Sequence, residues 1–213
     1  MAQASASETW RVGELEVRIV DGHAELPDAM VDESGKLLEA AFNGCRSLTS
    51  LTLPTSLVEI SPCAFYGCSS LKALSIPSSC KTIGELAFWG CSALTSVNIP
   101  SSVTQIGPQA FGDCTALASL SMSASVTAIS FGTFERCASL TSVVIPASVT
   151  EIATGAFSYC TSLCAVSIPS SVTHIYYDAF KDCASLKSAT IPAAVRLRDD
   201  APSFPSHTVV TRE

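Results

Sequence analysis

Phenylalanine recurs at Phe42, Phe65, Phe88, Phe111, Phe134, Phe157 and Phe180, each 23 residues after the last, with no insertion in the series. A strict period of this length commits the chain to a stack of like units. A unit so short cannot bury its own apolar side and must share a core with its neighbours. Two further columns keep the same step. Cysteine follows each phenylalanine by three residues (Cys45, Cys68, Cys91, Cys114, Cys137, Cys160, Cys183), and leucine follows by six (Leu48, Leu71, Leu94, Leu117, Leu140, Leu163, Leu186).

Two more apolar columns lie beyond the leucine with one residue between them: Leu51, Leu74, Val97, Leu120, Val143, Val166, Ala189, then Leu53, Ile76, Ile99, Met122, Ile145, Ile168, Ile191. Apolar residues two apart send both side chains to one face, so this segment is a strand. Proline then stands at Pro54, Pro77, Pro100, Pro146, Pro169 and Pro192, where its missing N–H and fixed φ end the strand. Ser123 is the exception. A valine-type column and an isoleucine column (Ile60 to Ile175) lead back to Ala-Phe and complete one coil. Stacked coils align their strands as a parallel sheet with a spacing of about 4.8 Å, so that seven make a rod roughly 30 Å long. The phenylalanines form an internal spine on a short turn or single helical turn opposite the sheet.

The pattern L-x-x-L-x-[IL]-P-x-x-V-x-x-I-x-x-x-A-F-x-x-C, running over roughly residues 37 to 195, resembles the BspA-like subclass of leucine-rich repeats. The asparagine ladder of the best-known leucine-rich repeats is replaced here by Pro-Ser-Ser or Pro-Ala-Ser. The expected fold is a mainly β repeat solenoid, a horseshoe or rod. It divides into residues 1–40, a polar N-terminus with a capping hairpin and a degenerate first coil; residues 41–195, seven repeats; and residues 196–213, an irregular tail. The hairpin spans residues 10–27. Leu15, Val17 and Ile19 alternate with charged residues, and Asp21-Gly22 supplies the turn. In the tail, Arg198 stands where the next isoleucine would fall, and Pro202 and Pro205 break up the final stretch.

Charge narrows the function classes. Residues 1–40 carry nine acids against three bases, whereas residues 41–195 carry seven acids and six bases. The repeats therefore lack the basic stripe that neutralises a phosphate backbone, which argues against nucleic-acid binding. No apolar run approaches the length of a membrane span, and Met1 to Trp10 is polar and unlike a secretory signal. As written the chain reads as cytoplasmic; a displayed protein whose export signal is missing from this sequence would read the same.

Seven of the ten cysteines occupy the repeat column, where buried free thiols are expected because stacked Cβ atoms about 4.8 Å apart exceed the roughly 3.8 Å of a disulfide. Cys80 replaces valine in a core column, leaving Cys63 and Cys164 as the accessible pair. Neither has the companions that a zinc site needs, and His23, His174 and His207 form no recognisable set. Nucleophile, Walker and dinucleotide motifs are absent, so no cofactor, metal or catalysis is expected.

Surface chemistry remains. The outward strand positions include Thr52, Ser75, Asn98, Ser121, Ser167 and Thr190, small and uncharged, and these either accept a partner or merely solvate the sheet. Tyr66, Trp89 and Tyr159 just after the phenylalanine column, with Phe131, Tyr176 and Tyr177 before it, are candidate interface anchors. These features point to a monomeric, non-catalytic recognition module for a protein, with a glycan or ice surface as lesser alternatives. The resemblance implies a second reading as a cell-surface adhesin fragment.

Overall fold

The structure is a computed structural model that describes residues 7–197 and 203–213. Arg198 and Pro202 lie outside the described residues. The chain winds into a solenoid of about eight turns. Its N-terminal end is built from β1 (Ser7–Val12), β2 (Leu15–Val20) and β3 (His23–Glu25), paired antiparallel in that order. Asp21 and Gly22 join β2 to β3 with φ of 49° and 82°, the two positive angles that a tight hairpin turn requires. β2 and β3 make a hairpin, with β1 as an additional antiparallel strand. Its Trp10 donates from Nε1 to the Ala41 carbonyl (2.8 Å) and stacks on Phe42. β3 pairs parallel with the next coil and starts the array.

Each later coil opens with a strand on one face: β4 (Ser50–Thr52), β6 (Ala73–Leu74), β8 (Ser96–Asn98), β10 (Ser119–Ser121), β13 (Ala165–Ser167), β15 (Ser188–Ile191) and β17 (Val209–Arg212). The ladders run β3-β4-β6, β8-β10 and β13-β15-β17. Residues 142–144 hold the same place without strand pairing, although Val143 and Ile145 remain buried. At Ser123 the missing proline is replaced by hydrogen bonding. The hydroxyl donates to the Val103 carbonyl (2.9 Å) and accepts from the Ser125 N–H (3.0 Å), closing the turn that proline closes elsewhere.

A second parallel ladder lies along the isoleucine column, where the sequence shows only a core position. It is formed by β5 (Glu59–Ile60), β7 (Thr82–Ile83) and β9 (Gln105–Ile106), then by β11 (Ala128–Ile129), β12 (Glu151–Ile152), β14 (His174–Ile175) and β16 (Arg196–Leu197). The Ala-Phe segments are turns, not helical turns. In each coil from Phe42 to Phe180 the residues two before and two after phenylalanine have left-handed φ, for example Gln109 at 53° and Asp113 at 54° around Phe111. Both turn their N–H toward the next coil, and Gln109 and Asp113 donate to the Phe131 and Glu135 carbonyls at 2.8 Å each. Glycine holds the later position in Gly44, Gly67 and Gly90, where this backbone needs no strain.

Inside, every phenylalanine of the column is fully buried, and successive rings stack with centroids 5.2–5.8 Å apart. The tail corrects the expectation of irregularity. Phe204 stacks on Phe180 at 5.0 Å and β17 pairs with β15, so the array continues past residue 195. The expected boundary failed because this last coil drops the cysteine and leucine columns, and with them the sequence signal.

Candidate recognition surface

Alternation within the short strands settles which side chains face solvent. In β8, Val97 points into the core while Ser96 and Asn98 point out, and β4, β13 and β15 repeat the arrangement, whereas β17 is exposed throughout. Thr52, Ser75, Asn98, Ser121 and Ser167 are exposed and Thr190 is half-buried. Register places Ser121 beside Asn98 and Ser167 beside Thr190. Thr52 and Ser75 line a shallow depression of about 610 Å³ with Thr55, Ser78 and Ser79.

The face is longer than the sequence suggests. β3 adds His23 and Glu25 at one end, and His23 Nδ1 lies 2.9 Å from the Ser50 hydroxyl. The signal available in the sequence is Leu26-Pro27, which repeats the Leu-Pro ending of a coil strand. β17 adds Val209 and Thr211 at the other end. Between Ser50 and Thr211 the two outward columns carry no charged side chain. Val144 interrupts their polar character, with 81% of its surface exposed.

The aromatic candidates occupy the turn side, where Tyr66 and Trp89 hold the same position in adjacent coils and Phe131, Tyr159, Tyr176 and Tyr177 lie in later ones. Tyr66, Phe131, Tyr159 and Tyr177 are exposed, and Trp89 and Tyr176 are half-buried. Trp89 lies flat over the next coil, since a Cβ on Gly112 would fall 2.1 Å from two of its ring carbons. Tyr159 sits beneath the Arg136 guanidinium, 5.2 Å from ring centroid to Cζ, in a cation–π contact. Tyr176 lies beside His174, with ring centroids 6.2 Å apart. The structure therefore aligns the strand-face candidates in two columns, and of the aromatic ones it sets Tyr66 and Trp89 side by side on neighbouring coils.

The thiol column is chemically quiet. From Cys68 to Cys183 each Sγ donates to the phenylalanine carbonyl of the preceding coil, at 3.0–3.3 Å. Cysteine suits the site because it is small and apolar yet carries one weak donor. Burial pushes these thiols up, Cys183 to about 12, and holds them neutral at physiological pH. Cys63 is half-buried and raised by desolvation, then by Glu39 and Glu85, whereas Cys164 is exposed. A maleimide reagent is expected to modify Cys164 rapidly, Cys63 slowly and the other eight only after unfolding. Counting adducts by mass spectrometry with and without denaturant checks this.

No group of three or more His, Cys, Asp or Glu among the described residues is placed to hold a metal ion. No helix among them is long and apolar enough to cross a membrane.

Parallel coils, a buried ring column and a strand face on one side define a leucine-rich-repeat solenoid. The model of the BspA type leucine rich repeat region matches in six copies, over residues 35–164 and 87–201, and the chain belongs to that family. Among solved structures, a leucine-rich repeat protein of T. pallidum is 32% identical, with a TM-score of 0.70, covering 78% of this chain and 81% of its own. One from Eubacterium ventriosum ATCC 27560 is 28% identical with a TM-score of 0.67, over 78% of this chain and 44% of that one. One from Bacteroides ovatus ATCC 8483 shares the fold at 24% identity and a TM-score of 0.51, over 92% of this chain and 66% of that one. No curated protein matches the chain.

Proposed function

We propose that the protein is a non-catalytic recognition module that docks a protein partner on the strand face of the solenoid. The observation that carries this reading is the two-column surface from Ser50 to Thr211, exposed at all but half-buried Ser50 and Thr190 and free of charge. A partner that covers such a face removes hydroxyls and methyls from water and strips no ion of its hydration, so desolvation costs little. Val144 adds an apolar contact near the middle. The aromatics of the turn side offer less, because Trp89 is packed against its own next coil and Tyr159 is engaged by Arg136.

Quantitative affinity capture from the source cells tests this. A Ser121→Glu, Val144→Glu variant places two carboxylates in the face without touching the core, and is expected to retain its partners at least tenfold less than wild type. A Trp89→Ala, Tyr159→Ala variant is expected to retain them fully. Partners that stay on the first variant and leave the second would move the binding surface to the turn side.

A further inference from the structure

The ladder of the isoleucine column is continuous from β5 to β9 and from β11 to β16, with one interruption between β9 and β11. At other junctions of this ladder two backbone bonds recur. Thr104 and Thr150 donate from N–H to the Lys81 and Thr127 carbonyls (3.0 and 2.8 Å), and Gly107 and Ala153 donate to the Ile83 and Ile129 carbonyls (2.8 and 2.9 Å). Between β9 and β11 the Ser130 hydroxyl takes the place of the second, donating to the Ile106 carbonyl at 2.7 Å. The same junction has the widest phenylalanine spacing, 5.8 Å between Phe111 and Phe134. Departures from the repeat also gather here, with Ser123 in place of proline and Thr133 in place of alanine.

The other two sides of this junction stay closed. β8 and β10 remain paired on the strand face, and on the turn side Phe111 N–H still donates to the Thr133 carbonyl at 2.9 Å. We propose that this junction is a hinge, at which the coils before β10 and those from β11 onward flex about the closed strand and turn sides. The moving side lies under a groove of about 450 Å³ lined by Thr82, Gly84, Gln105, Gly107, Ala128 and Ser130. A single hydroxyl rung gives way more readily than two backbone rungs, since a serine side chain rotates freely once its bond breaks. The width of this groove, and with it the bend of the strand face, therefore varies about one position.

Dipolar broadening in continuous-wave electron paramagnetic resonance spectra of the full chain, which covers the roughly 14 Å spanned by three coil spacings, tests the hinge in a Cys63→Ser, Cys164→Ser background whose other thiols are buried. One label pair, Thr82→Cys with Glu151→Cys, spans the interruption. The control pair, Ala128→Cys with Arg196→Cys, spans as many coils where the ladder is unbroken. The spanning pair is expected to give a distance distribution at least twice as wide as the control. Ser130→Ala is expected to widen it further and leave the control unchanged. A spanning distribution no wider than the control, unmoved by Ser130→Ala, would overturn the hinge.

Discussion

Replacing Phe88 by alanine is expected to lower the free energy of unfolding by about 3–5 kcal/mol, measured by denaturant titration. The ring is fully buried and stacks at 5.2 Å on Phe65 and on Phe111, so its removal opens a void touching three coils. Neither neighbour can move in to fill it, because the carbonyl of each accepts a thiol from the following coil and backbone bonds tie each to the adjoining one. In a solenoid each coil is stabilised mainly by its neighbours, so cooperativity is expected to fall as well, seen as a smaller denaturant slope. A loss below about 1 kcal/mol, the size of an ordinary surface effect, would mean that the rings do not form the core.

Ending the chain at Leu197 is expected to cost a similar amount, about 3–5 kcal/mol from the loss of buried Phe204 alone. β17 would go with it, baring the edge of β15 and the ring of Phe180. An exposed strand edge also invites pairing between chains, so aggregation on heating is expected to increase. Thermal melts of the shortened and full chains check both effects. A tail of no structural consequence would leave the melting temperature where it was.

The contrast between these two regions shows how far periodicity carries and where it stops. The ring column was legible because one residue type recurs at one step, and the strand face followed from two apolar columns separated by a single outward residue. The second ladder was not, because strands of two residues such as Thr82–Ile83 contribute one inward side chain each and leave no alternation to detect. The left-handed positions before phenylalanine were hidden for a different reason. Four of the seven hold Ala40, Cys63, Leu86 and Gln109, where tertiary hydrogen bonds override local preference, and only Gly132, Gly155 and Asp178 are residues that favour this conformation. The last coil escaped notice because β17 begins five residues after Phe204, whereas Ser188 stands eight after Phe180. Of the candidate surface, the strand-face residues could be placed from periodicity alone. The orientation of the aromatics could not, since it depends on neighbours one coil away, as with Trp89 over Gly112.

Proton–proton contacts between phenylalanine rings test most directly whether the coils lie one upon another. In protein labelled only at phenylalanine, ring-to-ring nuclear Overhauser effects are expected to link Phe42 to Phe65, Phe65 to Phe88 and so on to Phe204, as an unbroken chain of neighbours. The absence of contacts between Phe88 and Phe111, or contacts joining rings two or more coils apart, would contradict the stacked solenoid.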